Sequence, residues 1–446
     1  MPSPGALIVQ DLFGVNLEEQ GRGFYVSLEL FAIVRGVLKH KPNELLSPKV
    51  DVVSYRRVSH DLARRIAVGE EIADETLAPA VQGTFALETL NALLSSLLVE
   101  VPGRRKAPHW YSSHFYPFVG ELVHYDAVER RGKPSIERYL FRDGGGWAYH
   151  VLRFDPEEHR RETTRNGLSE LVGDSGSPLG RVAHALQTHD SVTAEPLLDQ
   201  SEANTKPYDA ESPWPELLRR GVNSIVTRTG VPRAKRIESL MHWVPYCLAR
   251  HQLHLARLSL GKPREVIFVD ATRDANPIRR SSQEGLDEFR WNIAAALTNR
   301  AGIQHQAALD KGDAAEAERW ARYAQPNAAF TKSPRAFFSE TLAAVGALNS
   351  TSGRRHFTFK APMLEALVAA LLAPGEEEEF YRFCQRLQEQ LGLVIDDRTA
   401  RTTGLTKAID GGVFAVNAEA FKARLAAAGL LTHYSDATSI IHGESR

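Results

Sequence analysis

The feature that most constrains the fold is a run of apolar residues at helical spacing over residues 234–258, about seven helical turns. Pro232 precedes this run, and Gly261-Lys262-Pro263 ends it. A buried-strand candidate follows over residues 265–269, and a polar loop then leads to a second helical pattern over residues 283–299. The order helix, strand, loop, helix is typical of an α/β layer.

The rest of the chain divides into segments of different texture. Residues 1–154 mix helical patterns with β-branched and aromatic stretches, which predicts an α+β domain. It contains an antiparallel meander whose later strands are predicted over residues 135–142 and 147–154. Residues 155–212 are polar and rich in turn formers, which predicts a loop-rich connection. Residues 213–332 form the α/β block, and residues 333–446 are predicted to form a mainly helical domain. The predicted fold class is therefore a multidomain chain of mixed α/β and α+β type.

The distribution of charge is uneven along the chain. The 446 residues include 54 Lys and Arg against 55 Asp and Glu, and 43% are hydrophobic, which excludes a disordered or collagen-like protein. Residues 213–301 hold 15 Lys and Arg against 8 Asp and Glu, a net charge of +7, so the remainder carries −8. This asymmetry indicates a nucleic-acid partner for the central block.

Cysteine content and hydropathy bear on the compartment. Two cysteines, Cys247 and Cys384, cannot form a disulfide framework, which favours a reducing environment. No apolar run reaches the roughly 18 residues of a membrane span. The N-terminus has no basic stretch before its short apolar run, which is unlike a secretory signal. We expect a cytoplasmic protein with no membrane partner.

The polar loop over residues 270–282 is the main candidate for binding. It leaves the carboxyl end of the predicted strand, where α/β proteins place binding groups, and enters a helix. Ser281 or Ser282 could cap that helix, whose free N–H groups favour an anion. Three arginines of the loop could add bidentate phosphate contacts: Arg273, Arg279 and Arg280.

Two other interpretations of this loop remain open. Asp270 and Asp274, with Glu265 or Glu284 nearby, could bind the divalent metal of a nuclease. Period-two alternation places Glu265 and Asp270 on opposite faces of the strand, which weakens that case. The third interpretation, which the sequence favours over the other two, is a structural ion-pair network of the arginines and aspartates that holds the loop to the helix.

A second candidate site lies within the long helical pattern. Cys247, His251 and His254 are spaced by four and three residues, so they share one helical face and could chelate zinc. The surrounding positions are largely apolar, however. The sequence therefore favours a buried thiol with hydrogen-bonded histidines over a metal site.

Residues 173–178, with the sequence GDSGSP, are similar to the nucleophile loop of chymotrypsin-like proteases, in which Ser175 would be the nucleophile. Those proteases are double β-barrels, whereas helical patterns flank this loop. A surface turn is the favoured interpretation. Phosphate-cradling GxxxxGK[ST] loops, HExxH and paired CxxC spacings are absent from the sequence.

The C-terminal segment has helices followed by a possible two-stranded wing, an arrangement similar to winged-helix modules. Arg354, Arg355 and Lys360 flank a predicted strand and are further candidates for phosphate contact. Residues 334–446 carry 12 Lys and Arg against 13 Asp and Glu, although a DNA reader normally has a basic face. Protein is therefore an alternative ligand for this module.

Three C-terminal stretches, residues 354–372, 383–395 and 429–443, resemble the ends of accessory proteins from prokaryotic anti-phage and DNA-restriction operons, including phosphorothioation-dependent restriction. The resemblance covers about a quarter of the chain and contains no diagnostic motif. It implies a non-catalytic subunit beside an ATPase or nuclease partner, and it assigns no catalytic residue.

The predicted function is a non-catalytic scaffold or nucleic-acid-engaging subunit of a multi-protein defence or restriction assembly, without a cofactor. The alternative prediction is a metal-dependent nuclease or other hydrolase that uses Asp270 and Asp274. Salt-dependent binding to nucleic acid separates the first prediction from a protein without phosphate contacts.

Overall fold

The computed structural model describes most of the chain, in these ranges: residues 3–48, 53–54, 84–99, 115–123, 127–130, 133–136, 144–173, 175–187, 197–198, 212–350, 353–404, 409–434 and 438–443. These residues are mainly helical with few short strands, which agrees with the predicted mixture of helix and strand. The helices are α1 (Pro4–Phe13), α2 (Tyr25–His40), α3 (Thr84–Ser96), α4 (Gly144–Arg153), α5 (Glu158–Val172), α6 (Pro178–Gln187), α7 (Trp214–Val226), α8 (Arg233–Ser259), α9 (Pro277–Asp310), α10 (Ala314–Ala321), α11 (Lys332–Ala344), α12 (Ala361–Leu371), α13 (Phe380–Leu391), α14 (Asp397–Thr402) and α15 (Gly411–Ala427).

The strands are all short, and they form small separate sheets. They are β1 (Val53–Ser54), β2 (Ala127–Arg130), β3 (Lys133–Ile136), β4 (Leu197–Leu198), β5 (Ile267–Phe268), β6 (Leu348–Asn349), β7 (His356–Phe357), β8 (Glu377–Glu379), β9 (Leu393–Val394), β10 (Leu431–His433) and β11 (Ser439–His442).

The chain forms two compact units, and the first helix belongs with the C-terminal half. One unit comprises Met1–Gly23 and Pro207–Arg446, and the other comprises Phe24–Lys206. Helix α1 packs against α8 and α9, and Arg300 Nε lies 2.5 Å from Asp11 Oδ2. The linear segments predicted from the sequence did not contain this grouping, because contacts across almost 300 residues leave no local pattern.

In the unit of residues 24–206, the main packing is between α2 and α4. A Cβ at Gly145 would lie 2.4 Å from the Leu30 backbone nitrogen, so glycine is needed for this close approach. The Gly145 N–H donates to the buried Glu29 carboxylate, at 2.8 Å. The sequence predicts a strand over residues 147–154, but this prediction is wrong, because the stretch belongs to helix α4 and is buried against α2. Its aromatic and branched residues are typical of a strand, and the packing against α2 cannot be seen in the local sequence.

The connection predicted over residues 155–212 also differs, because its described part includes α5 and α6. Asp155 stabilises the start of α5: its carboxylate accepts from the Glu157 N–H at 2.9 Å and from Arg160 Nε at 2.6 Å. Polar residues cover the exposed side of α5, so the composition alone looks like a loop. Of the predicted meander, the described residues contain the antiparallel hairpin β2–β3.

In the larger unit, α8 is the central helix, as its sequence pattern predicts. It packs against five neighbours: α1, α7, α9, α11 and α12. Its side chains are buried on nearly all sides, as expected for a helix inside a large core. A Cβ at Gly221 of α7 would come within 2.2 Å of Trp243 Nε1, so this glycine lets the indole reach α7.

Strand β5 confirms the strand predicted after α8, and it pairs in parallel with β9, with Phe268 opposite Val394. The pairing includes a hydrogen bond from the Val269 N–H to the Val394 carbonyl, at 3.0 Å. One residue further, the Asp270 N–H donates to the carbonyl of Phe357 in β7, at 2.9 Å. The polar loop that starts at Asp270 therefore begins at the carboxyl end of a parallel strand.

The C-terminal segment contains both strands of the predicted wing, β10 and β11. Strand β11 also pairs with β8, which gives an antiparallel sheet in the order β10–β11–β8. Helices α12, α13 and α15 precede the final strand pair. Within the described ranges, no helix has the length and apolar content needed to cross a bilayer.

Candidate functional site

Asp270 is the organising residue of the loop after β5. Its side chain is fully buried, and Oδ1 accepts hydrogen bonds from the Thr272 N–H at 3.0 Å, Thr272 Oγ1 at 2.7 Å and Asn276 Nδ2 at 3.0 Å. Burial alone would raise the pKa of Asp270, but hydrogen bonds from Thr272, Arg279 and Asn276 outweigh it and lower the pKa. The loop is therefore held in place by an ionised carboxylate.

Asn276 caps helix α9, and Pro277 occupies its first position. The Asn276 Oδ1 atom accepts a hydrogen bond from the Arg279 N–H at 3.0 Å. The sequence predicts the cap at Ser281 or Ser282, which is wrong by more than one turn. Asn and Pro at these positions are strong helix-start signals, and the helical pattern begins to show only later because the first turn is polar.

Arg279 takes part in the internal ion-pair network that the sequence leaves open as an alternative. Its Nε donates to Asp270 Oδ2 at 2.6 Å, and its Nη2 donates to the carbonyls of Thr272 and Arg273, both at 3.0 Å. The side chain is only about 5% exposed. Its guanidinium thus stabilises the loop from inside.

Further positive charge surrounds Asp270. Arg424 of α15 donates to Thr358 Oγ1 at 2.6 Å. Burial lowers the pKa of Arg424, and repulsion by Arg279 and Arg273 lowers it further, whereas attraction by Asp270 acts in the opposite direction. Three arginines therefore share the field of one buried carboxylate. The site carries an excess of positive charge.

His356 completes the buried part of this cluster. Its Nε2 lies 3.5 Å from Asp270 Oδ2 and makes no hydrogen bond to any described residue. Burial lowers the pKa of His356, and the charge of Arg279 lowers it further. His356 is therefore neutral at neutral pH, and it does not balance the charge of Asp270.

Arg273 and Arg280 lie at the surface of the same loop and helix start. Both are exposed, and neither has a carboxylate within ion-pair distance among the residues that the structure describes. Arg280 lies in the first turn of α9, where the helix dipole attracts anions. These two guanidinium groups are the available cations that the predicted set contributes to the loop and the helix start.

The other three predicted contact residues are divided between neighbouring helices. Arg354 is exposed, contacts Asp287 of α9 and accepts a hydrogen bond at its carbonyl from Gln283 Nε2, at 3.1 Å. Arg355 Nη1 lies 2.6 Å from Glu340 Oε1 of α11. Lys360 is exposed and precedes α12. The structure therefore brings Arg354 to the α9 surface and directs Arg355 towards α11.

The proposed metal ligands Asp270 and Asp274 have different environments. Asp270 is buried and bound by Arg279, whereas Asp274 is exposed. Glu265 lies at the opposite end of β5, and Glu284 is exposed on α9. Among the described residues, no group of three or more His, Cys, Asp or Glu side chains is arranged to hold a metal ion.

A second buried ion pair lies at the amino end of β5. Arg250 Nη2 donates to Glu265 Oε1 at 2.9 Å and to the Leu391 carbonyl at 2.7 Å, and both charged side chains are fully buried. Arg250 Nη1 also donates to the Tyr246 hydroxyl at 2.7 Å, and its guanidinium lies 4.6 Å from the centroid of the Trp214 ring. This cluster is closed to solvent.

The Cys247, His251 and His254 side chains do not converge on one another. His251 Nδ1 lies 2.9 Å from Ser212 Oγ, and burial lowers the pKa of His251 to about 3. His254 Nδ1 lies 3.6 Å from Glu265 Oε2. Burial raises the pKa of Cys247 well above its ordinary value. This arrangement matches the buried thiol and hydrogen-bonded histidine that the sequence favours.

The Ser175 loop supports a helix start. Ser175 Oγ lies 2.7 Å from Ser177 Oγ, and the Ser177 hydroxyl accepts from the Gly180 N–H at 3.0 Å. The Ser175 N–H donates to the Glu121 carboxylate at 3.2 Å. Asp174 lies outside the described residues. Ser177 thus caps α6 and Ser175 supports Ser177, which fits the favoured surface turn.

Asn417 of α15 is a site residue that the sequence analysis missed. Its Nδ2 donates to the carbonyls of Val269 and Ile395, at 2.9 and 2.8 Å, and its Oδ1 accepts from the Ala271 N–H at 2.8 Å. It thereby ties the ends of β5 and β9 to α15. Asn417 follows the buried Phe414 by three residues, a spacing that places both on the buried face of the helix. A polar residue on that face is the signal that could have identified it.

Comparison with known proteins found no matching family model, no matching curated protein and no matching solved structure.

Proposed function

We propose that this protein is a non-catalytic, nucleic-acid-engaging subunit of a multi-protein prokaryotic defence or DNA-restriction assembly, with Arg273 and Arg280 as phosphate contacts. The observation that carries the proposal is the difference between the arginines of the loop and the helix start. Arg279 is bound to Asp270, whereas Arg273 and Arg280 project from the loop without a carboxylate partner in the described part of the chain. Exposed guanidinium groups without a carboxylate partner suit phosphate oxygens.

The finer assignment of the C-terminal segment as a winged helix also belongs to this proposal. The chain order α12, β8, α13, β9, α14, α15, β10, β11 and the sheet order β10–β11–β8 support it, with β9 and α14 as additions to the simple winged-helix order. In such modules the helix before the wing commonly enters a DNA groove. Here that helix is α15, whose described residues expose Val416 and Glu419 but no Lys or Arg.

The surface of α15 therefore supports a protein partner for this helix rather than phosphate. Its Lys422 is buried and lies 2.7 Å from Glu419 Oε1, and its Arg424 is turned towards Thr358. We accordingly place the phosphate contacts on the loop and on α9. An ATPase or nuclease subunit is the partner implied by the resemblance of the C-terminal stretches.

The test is the salt dependence of binding to a fluorescent DNA duplex and to a single strand of the same length. Replacement of Arg273 and Arg280 by Glu should lower the slope of log affinity against log salt by about two phosphate contacts. The matched control is the double charge reversal Arg319→Glu and Arg322→Glu on α10, whose arginines are also exposed. It should leave the slope nearly unchanged.

Two results would contradict the proposal. The first is wild-type protein that shows no salt-dependent binding to either probe. The second is an equal loss of binding in both double variants, because that would mean that only total charge matters. A melting temperature measured on each variant separates lost contacts from lost folding.

A further inference from the structure

Trp291 differs from the other described tryptophans in its exposure. Its side chain is 61% exposed on α9. The others are nearly or fully buried: Trp147, Trp214, Trp243 and Trp320. Tryptophan supplies a large rigid surface that favours burial, and when exposed it marks a contact surface.

Trp291 lies on the same side of α9 as Arg280. The two residues are 11 positions apart, which corresponds to about three turns and about 16 Å along the axis. Asp287 lies between them on this side. We call Arg280, Glu284, Asp287 and Trp291 the α9 face. The α9 face thus carries both an exposed guanidinium group, of Arg280, and an exposed aromatic ring, of Trp291.

Positive charge also lies near the indole ring. Lys262 Nζ lies 5.7 Å from the ring centroid of Trp291. Lys262 and Arg257 both bind the same oxygen of Glu288, at 3.1 and 3.0 Å, so two cations share one carboxylate. Arg290, the next residue in the chain, is exposed and has no carboxylate within ion-pair distance in the described ranges. The surroundings of the ring carry net positive charge.

The acidic residues of the α9 face differ in their compensation. Asp287 is in contact with Arg354, so its charge is largely neutralised. Glu284 is exposed and has no cation within ion-pair distance among the described residues. Glu284 is therefore the one repulsive group that a polyanion on this face would meet.

We propose that the α9 face binds a single strand of nucleic acid, with an unpaired base stacked on Trp291 and phosphates held by Arg280 and by the cations beside the ring. This inference rests on the proposed function and adds the form of its ligand. Stacking requires a base that is free of a duplex, and base–aromatic stacking combined with a basic groove is the usual design for strand binding. The cores of protein interfaces are depleted of charge, whereas this ring is bordered by Glu288 and Arg290.

The first experiment compares affinities for a labelled 15-nucleotide oligo(dT), its oligo(U) counterpart and a duplex of the same length. Replacement of Trp291 by Ala should weaken binding to either single strand about tenfold and should change binding to the duplex little. Trp291→Phe, which keeps an aromatic face, should stay within about threefold of wild type.

The matched control is Ile303→Ala, which removes another exposed apolar side chain from α9, 58% exposed and on a different side of the helix. It should leave all affinities unchanged. Equal effects of Trp291→Ala and Ile303→Ala, with wild-type binding intact, would overturn the inference and leave the proposed function standing. Wild-type protein that binds no probe would refute both. If the Trp291→Ala variant no longer bound a partner protein that wild type binds, while its affinity for the single strand was unchanged, the ring would be a protein contact and the inference would be overturned.

The second experiment uses the repulsive group. Replacement of Glu284 by Gln should strengthen strand binding about two- to threefold at low salt, because it removes a negative charge from the path of the strand. The control Glu318→Gln removes an exposed carboxylate from α10 and should have no such effect. Unchanged affinity in Glu284→Gln would mean that the strand does not cross the α9 face.

Discussion

The two ends of strand β5 present the same chemistry in opposite settings. At the amino end, Glu265 binds Arg250, and both are fully buried. At the carboxyl end, Asp270 binds Arg279 in the same way, but Arg273 and Arg280 remain exposed beside the pair. A buried ion pair by itself thus indicates structure. Cations that remain uncompensated next to such a pair indicate a site that can bind an anion.

The largest expected effect concerns the closed end. Replacement of Arg250 by Ala should lower the free energy of unfolding by about 3–5 kcal/mol, because it leaves Glu265 buried without its cation. Urea unfolding followed by circular dichroism measures this change. The double variant Arg250→Met with Glu265→Leu removes both charges and should recover much of the loss. A loss in Arg250→Ala no larger than that of the exposed Arg322→Ala would break the comparison.

The acid limb of stability offers an intermediate effect. Burial alone would raise the pKa of Glu265, but the neighbouring His254 and the Arg250 guanidinium lower it to about 2. Because the folded-state pKa lies below the unfolded value of about 4.3, the ionised carboxylate stabilises the fold fully above that pH. This contribution, on the order of 3 kcal/mol, should be lost as the pH falls from about 4.3 towards 2.

Urea unfolding at pH 5 and at pH 3 measures this dependence. The variant Arg250→Met with Glu265→Leu should lose less stability over that interval than wild type does. Identical pH profiles for the two proteins would show that Glu265 does not carry this part of the acid sensitivity.

The smallest change in stability, and the sharpest contrast, comes from neighbouring residues at the open end. Replacement of Arg279 by Ala should lower the free energy of unfolding by about 2 kcal/mol, because Asp270 keeps its hydrogen bonds from Thr272 and Asn276 but loses a charged donor. Replacement of Arg280 by Ala should change it by less than about 0.5 kcal/mol, as is usual for an exposed side chain.

Thermal unfolding and salt-dependent affinity, measured on both single variants, decide this contrast. Arg280→Ala should weaken nucleic-acid binding while its melting temperature stays near that of wild type. If Arg280→Ala lost stability and Arg279→Ala did not, the assignment of one arginine to the fold and the other to the ligand would be reversed.

The sequence predicts the C-terminal half of the chain better than the N-terminal half. Helix α8 and strands β5, β9, β10 and β11 fall where the pattern places them. Pro232 and Gly261 mark the limits of α8, and Gly392 precedes β9. In residues 144–172 the pattern misleads. There a helix with aromatic and branched residues is buried against α2, so tertiary packing overrides local propensity.

The candidate site could be predicted in part. The loop after β5 and its arginines follow from chain order, since binding groups gather at the carboxyl ends of parallel strands. Helical spacing could also have shown which arginine is buried, because Arg279 lies seven residues before the buried Leu286. That Asp270 is its partner depends on how the loop folds back onto α9, which leaves no local pattern in the sequence. Trp291 could have been found, since it falls outside the buried positions Leu286, Phe289 and Ile293 of that helix.

The docking of α1 within the C-terminal half has a consequence for biosynthesis. The Glu19 N–H donates to Ser333 Oγ, and the Gly23 N–H donates to Thr341 Oγ1, across more than 300 residues. At a translation rate of about 5–20 residues per second, the first helix leaves the ribosome roughly 15–60 s before its binding surface exists. Phe24–Lys206 emerges and can fold during that interval. The apolar side of α1, with Ile8 and Phe13, therefore stays exposed on the nascent chain during this time. A chaperone that binds this segment would protect the chain from aggregation in that interval.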